Sequence, residues 1–283
     1  MEHEAETTHA AYTLNIGGRL VSLEQPVVMG IMNITPDSFH TSIDPDSAEA
    51  HAQIAECVKQ MEDEGACIVD VGGCSTRPGS TAADSAEEWR RIDMAIGGIR
   101  RSGSNMPLSV DTFRTEIAEQ AIGKYGAMIV NDISGGNDDM YDLVARHGVP
   151  YVLTFNEPRH PDQSICQQAL LFFANRIQQL RDRGQKDIVL DPGFGFNKTL
   201  DENFQLMANL ESLRIFRLPL LVGISHKRMV YDTLGTTHDH AANGTTVLNT
   251  SALERGASIL RVHNVRDAAE CIQLWRRLMK VEC

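Results

Sequence analysis

At 283 residues and 42% hydrophobic, the chain is long for an ordinary domain but suits one α/β barrel with a large core. A net charge of -12 argues against a nucleic-acid or anionic-membrane surface, so an anionic ligand must be met by a few specific basic groups. Six scattered cysteines without a C-x-x-C pair point away from a zinc ribbon or disulfide framework and fit a reducing cytoplasm.

Residues 1–11 are polar and acidic, lack a basic-then-apolar signal, and are expected to be a disordered N-terminus. Residues 12–283 read as a single domain, since no linker-like or low-complexity stretch interrupts them. The segment YTLNIGGRLVSL predicts a β-hairpin turning at Gly17 and Gly18, placed as a plug across a barrel bottom. Short apolar runs then follow in order: VVMGIMN closing on Asn33, CIVDVGG with Asp70, PLSVD closing on Asp111, and MIVND with Asn131. The series continues with PYVLTFN and Asn156, IVLD and Asp191, PLLVGIS with Ser225 just before Lys227, and SILRVH with Arg261 and His263.

Between the runs lie segments of helical spacing, such as SAEAHAQIAECVKQMEDEG, where Ala50, Ile54, Val58 and Met61 share a face. Several end at a glycine suited to a left-handed cap: Gly65, Gly126, Gly148, Gly184 and Gly256. Eight strands alternating with eight helices, without in/out alternation in the strands, predict a (β/α)8 TIM barrel, whose usual length is about 250 residues. A buried strand gains nothing from a polar tip, so these tips read as the floor of one active site. Taken singly they have plainer readings: Asp111 as a helix cap, Asp191 as a turn former, Lys227 and Arg228 as a solvated turn, and Asp70 as structural. His263 gains weight from Arg261, two residues earlier on the same strand face. His238-Asp239-His240 fits a polar loop better than a metal site.

Four strings carry more specific information. They are Asn33-Ile34-Thr35-Pro36-Asp37-Ser38-Phe39, Gly72-Gly73-Cys74-Ser75-Thr76-Arg77-Pro78-Gly79, Asp191-Pro192-Gly193-Phe194-Gly195-Phe196-Asn197-Lys198-Thr199, and Arg261-Val262-His263. Together, over roughly Pro26 to Glu270, they resemble the dihydropteroate synthases, the folate-pathway transferases that sulfonamides inhibit. The stretch from Leu180 to Asn249 also resembles the subgroup of Bacteroides-like bacteria.

The resemblance implies condensation of 6-hydroxymethyl-7,8-dihydropterin pyrophosphate with p-aminobenzoate, giving 7,8-dihydropteroate and pyrophosphate by an SN1-like route with Mg2+. It assigns Asp111, Asn131, Asp191 and Lys227 to the pterin. Asn33, Arg77, Arg261 and His263 fall to the pyrophosphate, with Asn33 toward the metal, and Phe39, Thr76, Arg77, Pro78, Phe196 and Arg228 to the aminobenzoate. Asn33, Asp111, Asp191, Lys227, Arg261 and His263 form its catalytic set. The family commonly forms homodimers through its last helices, and neither nucleic acid nor membrane is an expected partner. Loops after the first two barrel strands, Thr35 to about Asp46 and Ser75 to about Ala83, are the expected closing segments.

Three departures stand out. Thr154-Phe155-Asn156 replaces a usual Met-His-Met, putting Asn156 where an apolar pterin contact is expected; His226 and Arg228 flank Lys227 where the family has Arg and Ser; and His40-Thr41-Ser42-Ile43-Asp44 alters the first loop. Two other readings remain: a pterin or folate methyltransferase on the same barrel, which needs neither the basic cluster nor the STRPG loop, and a diverged pterin-binding homologue without turnover.

Overall fold

Eight parallel strands, β3 to β10, close into a barrel in the order β3-β4-β5-β6-β7-β8-β9-β10, with β10 returning to pair with β3. They are β3 (Val27–Asn33), β4 (Ile68–Gly72), β5 (Leu108–Asp111), β6 (Ile129–Asp132), β7 (Tyr151–Thr154), β8 (Ile188–Asp191), β9 (Leu220–Val222) and β10 (Ala257–Val262). The computed structural model describes residues 12–34, 43, 47, 49–74, 83–160 and 162–280. The expected N-terminal tail and most of the two expected closing loops, with Phe39, Thr76, Arg77 and Pro78, lie outside the described residues.

The helices stand where their apolar periodicity places them. In α1 (Ala50–Asp63) the buried residues are the four of the predicted face, Ala50, Ile54, Val58 and Met61. The layer continues through α2 (Ser85–Arg101), α3 (Thr115–Tyr125), α4 (Asp138–His147), α5 (Ile165–Asp182), α6 (Leu200–Ala208), α7 (Arg228–Leu234), α8 (Ala242–Glu254) and α9 (Val265–Met279). Capping residues set several starts. Ser164 with Gln167 opens α5 and Thr199 with Glu202 opens α6 as reciprocal capping boxes, each satisfying orphan amides of the first turn. Among the described residues there is one helix more than the expected eight: α7, a short helix opened at Arg228 directly after Lys227, precedes α8 on the crossover to β10.

The hairpin β1 (Thr13–Ile16) and β2 (Arg19–Ser22) turns at Gly17 and Gly18, whose φ values of 61° and 89° suit the left-handed turn. Its Leu14 and Ile16, with Leu23, pack against Met29, Ile68, Ile129, Val152, Val189, Leu221 and Ile259, the lowest inward ring of the barrel. The bottom is thereby sealed with apolar side chains, and above that ring five of its seven strands turn a polar residue inward, β3 and β9 carrying Ile31 and Gly223 instead.

Candidate active site

Side chains alternate across a strand, so the plugged ring fixes which residues face the barrel axis higher up. Two residues beyond Ile68, Ile129, Val152, Val189 and Ile259 come Asp70, Asn131, Thr154, Asp191 and Arg261. The register sets Asp70 beside Ser109, Asp111 beside both Gly72 and Asn131, and Thr154 beside Asp191. A polar layer thus sits at the C-terminal mouth of an otherwise apolar barrel, where α/β barrels carry their chemistry.

Arg261 is the hub of this layer. Its Nε donates to Asp70 Oδ2 at 2.6 Å and its Nη2 to Asp111 Oδ2 at 2.5 Å. Asn131 Nδ2 donates to the same Asp70 oxygen at 3.0 Å. Burial alone would weaken the guanidinium charge, but Asp70 and Asp111 override it and hold Arg261 firmly cationic. Asp111 is not a helix cap, because α3 begins after Arg114. Its carboxyl is pushed up, to about 7, by burial and by Asp70 and Asp132, against the pull of Arg261 and Lys227. A side-chain exposure of 19% tempers that rise without changing its direction.

Asp191 sits across the floor from this pair. One oxygen accepts from Gly193 N at 2.8 Å, so the turn-forming role is real, while the other takes no hydrogen bond from the described residues. Gly193 is required there: its φ is 67°, and a side chain would collide with the Phe155 carbonyl. Burial raises the Asp191 carboxyl and Lys227 counters it. Lys227, far from a solvated turn, donates to Phe194 O at 2.5 Å and lies 4.7 Å from the centre of the Phe196 ring. Burial and the neighbouring Arg261 bring its ammonium down to about 8.

One further group completes the arrangement that sequence spacing did not single out, Lys198, and Asp70, read both as a polar tip and as structural, takes a definite place. Lys198 donates to three carbonyls, Phe155 O at 2.8 Å, Gly193 O at 2.9 Å and Phe196 O at 2.9 Å, and so ties the loop after β8 to the tip of β7. No periodicity announces such a contact, since its partners are backbone atoms. Asp70 did carry a signal: it shares strand parity with Ile68 and Gly72, which points it inward toward Arg261.

At the β9 and β10 tips, Ser225 Oγ lies 3.0 Å from His263 Nδ1 and accepts from His263 N at 3.2 Å. His226 is buried with φ 53°, its Nε2 2.6 Å from Asn264 Oδ1 and its Nδ1 2.7 Å from His238 O. The two loops are therefore stapled, holding Lys227 and His263 in fixed relation. His238 joins this packing, its ring 5.0 Å from that of His226, and among the described residues no acidic, cysteine or histidine cluster forms a metal site. Asn33 Oδ1 lies directly over Gly72, 2.9 Å from where a Cβ would stand, with Asp111 Oδ2 3.8 Å from the same point. Only glycine leaves Asn33 that place.

Two expectations need correction. Asn156 is not an axial contact: its Nδ2 donates to Ile133 O at 2.8 Å and its Oδ1 accepts from Asn197 Nδ2 at 2.8 Å, which places it in the bracing of the loops. The inward residue of this strand is Thr154. Arg228 turns outward, 76% exposed, and pairs with Asp232 one turn along α7 at 3.1 Å. Phe196 is where expected, beside Lys227.

A plugged barrel whose mouth gathers carboxylates, an amide, a lysine and an arginine is the architecture of an enzyme, and the family model described as "Pterin binding enzyme" matches residues 29–263, which makes the class that of pterin-binding enzymes. The Bacillus subtilis dihydropteroate synthase is 35% identical over 255 residues, 89% of this chain and 88% of the relative. The Streptococcus pyogenes serotype M18 enzyme is 35% identical over 268 residues, covering 93% and 99%. Among solved structures, the Xanthomonas albilineans dihydropteroate synthase with 4-aminobenzoic acid superposes with a TM-score of 0.88 at 34% identity, covering 96% of this chain and all of that one. The Yersinia pestis dihydropteroate synthase in a sulfonamide drug complex gives 0.86 at 30% identity, covering 95% and 100%. The chain belongs to the dihydropteroate synthase family.

Proposed function

We propose that this protein condenses 6-hydroxymethyl-7,8-dihydropterin pyrophosphate with p-aminobenzoate to give 7,8-dihydropteroate and pyrophosphate. The observation that carries the assignment is the half-used carboxylate of Asp191 beside Lys227 on a sealed barrel floor. The 2-amino group and N3–H of a pterin form a paired donor that such a carboxylate accepts, and Lys227 meets the adjoining carbonyl. Asp111 and Asn131 take the remaining ring nitrogens. The Xanthomonas albilineans relative is described in complex with 7,8-dihydropteroate, which supports the same product here.

In the reaction the methylene C–O bond breaks with its electron pair leaving on pyrophosphate, and the dihydropterin ring carries the resulting cation. The aminobenzoate nitrogen then forms the C–N bond and releases a proton to solvent. No covalent nucleophile is needed. The protein orients the ring and stabilises the departing anion with Arg261, His263 and Asn33. Arg77 and the aminobenzoate contacts Phe39, Thr76 and Pro78 are assigned by resemblance, with Phe196 beside Lys227 completing that subsite.

Mg2+ fits this site through one protein ligand: the Asn33 oxygen over Gly72 faces the mouth, and Mg2+ takes few protein ligands where phosphate oxygens and water supply the rest. When bound, it neutralises charge on the pyrophosphate oxygens as a Lewis acid.

No helix among the described residues is long and apolar enough to cross a membrane. Free thiols at Cys57, Cys67, Cys166 and Cys271 support a reducing cytoplasm. The exposed Leu274, Leu278 and Met279 of α9 and Val247 of α8 support a homodimer formed through these helices.

Pyrophosphate release in a coupled assay tests the function. Turnover should need both substrates and fall when Mg2+ is omitted; release without aminobenzoate, or none with both substrates, would reject it. A methyltransferase would instead transfer a methyl group from methyltetrahydrofolate.

A further inference from the structure

We propose that Thr154 is a substrate-binding residue of the pterin subsite, its hydroxyl hydrogen-bonding a ring heteroatom between the groups bound by Asn131 and Asp191. This rests on the function proposed above. Thr154 ends β7 two residues above Val152, which belongs to the inward apolar ring, and its register partner across the barrel wall is Asp191. The residue has no exposure, and Oγ1 has no hydrogen-bond partner among the described residues. The methyl group accounts for one side of the side chain, since Cγ2 lies 3.1 Å from where a Cβ on Gly193 would stand.

Such an arrangement costs stability in the unliganded protein, because an unpaired hydroxyl loses its bonds to water and gains none in exchange. Valine has the same shape and branching and would avoid that loss. A serine or threonine at a strand end can bond a neighbouring carbonyl, yet Thr154 does not. Asn131 on the neighbouring strand β6 shows a parallel feature, with its Oδ1 buried and unpaired among the described residues while Nδ2 holds Asp70. Asn131, Thr154 and Asp191 stand on the three adjacent strands β6, β7 and β8, each two residues above a member of the inward apolar ring. Asn131 Oδ1 and the carboxylate can only accept, whereas a hydroxyl both donates and accepts. The row therefore fits a planar heterocycle whose edge offers donors at its ends and a ring nitrogen between them.

The test is calorimetric titration of 6-hydroxymethyl-7,8-dihydropterin pyrophosphate into wild type, Thr154→Val, Thr154→Ser and Thr154→Ala, beside the melting temperature of each free protein. Removing the hydroxyl should weaken binding about tenfold, the loss of one hydrogen bond, in both the Val and Ala variants, while Ser stays near wild type. The KM for p-aminobenzoate should not move. Thr154→Val should melt no lower than wild type, so its binding defect is not one of folding; if it does melt lower, the Ala and Ser pair decides. Equal affinity of Val and wild type, or of Ala and Ser, overturns the role of Thr154 alone. A wild type that binds no pterin pyrophosphate overturns the proposed function and this residue's role with it.

Discussion

Arg261 Nε and Asp70 Oδ2 meet at 2.6 Å, and the aspartate side chain has no solvent exposure while the arginine keeps 16%. A carboxylate so enclosed exists for its partner: it fixes the guanidinium plane so that the remaining donors reach Asp111 and the mouth of the barrel. Asp70→Ala should therefore lower stability by about 3 to 5 kcal/mol, the usual cost of leaving one charge of a buried pair alone. Chemical denaturation measures it. Asp70→Asn, which keeps an acceptor for Arg261, should lose much less, and equal losses in the two variants would remove the ion pair from the account.

Asp111 makes the free protein sensitive to pH. Burial, with Asp70 and Asp132, raises its folded pKa to about 7, well above the ordinary carboxyl value of 3.8. A raised pKa means that the folded state binds the proton more tightly, so the contribution is complete below about pH 4 and is lost as pH rises through about 7. Wild type should lose melting temperature relative to Asp111→Asn between pH 5 and about 8. Pterin affinity should run the other way, because the ionised carboxylate is the form that accepts from ring N–H groups. Calorimetry across this range should show wild-type affinity rising with pH more steeply than that of Asp111→Asn, in which Asp191 and Lys227 still titrate.

Asp191→Asn should weaken pterin pyrophosphate binding by about 2 to 3 kcal/mol, the loss of a charged hydrogen-bond acceptor. The Gly193 amide would still find an oxygen to bind, so the melting temperature should change little by comparison. Unchanged affinity in calorimetry would remove Asp191 from the pterin site.

Much of this was legible because barrel chemistry obeys strand geometry. The apolar runs located all eight strands, and the periodicity of segments such as Ala50, Ile54, Val58 and Met61 located the helices around them. Polar tips pointed to Asp111, Asn131, Asp191 and Arg261 because so many occur at strand ends together, although each alone has a plainer reading. What escaped depended on where a strand ends, on a short helix or on backbone partners. Asn156 shares the parity of Val152 and Thr154 and looked axial from its family position, but β7 ends at Thr154, and beyond it Asn156 turns to Ile133 O and Asn197. Arg228 follows a strand-tip lysine in sequence, yet the turn into α7 directs it to Asp232, and that short helix had no apolar period long enough to announce it.

Arg228 offers a clean test of aminobenzoate recognition, because its ion pair is exposed and contributes little to stability. Arg228→Ser should leave stability within about 0.5 kcal/mol of wild type. If the guanidinium leaves Asp232 for the aminobenzoate carboxylate, the KM for that substrate should rise about tenfold, with sulfonamide inhibition changing in parallel. An unchanged KM and inhibition constant would confine Arg228 to the surface of α7.

Lys198 joins the loop after β8 to β7 through three carbonyls, and its ammonium lies 4.5 Å from the centre of the Phe155 ring. Burial brings its pKa down to about 7 from an ordinary value of 10.5, with Lys227 adding to the shift and Asp191 opposing it. A depressed pKa means that the unfolded chain holds the proton over a range where the folded one does not. The contribution is therefore present above about pH 10.5 and is lost as pH falls through about 7. Lys198→Met cannot titrate, so the stability of wild type relative to this variant should grow as pH is raised from 7 to 9, read as a difference in melting temperature. At neutral pH the variant leaves three carbonyls without their donor, and the loop that positions Phe196 and the Asp191 turn should loosen. The KM for pterin pyrophosphate should then rise about tenfold, more than that for aminobenzoate. A melting difference that stays constant with pH would show that Lys198 does not change charge in the folded protein.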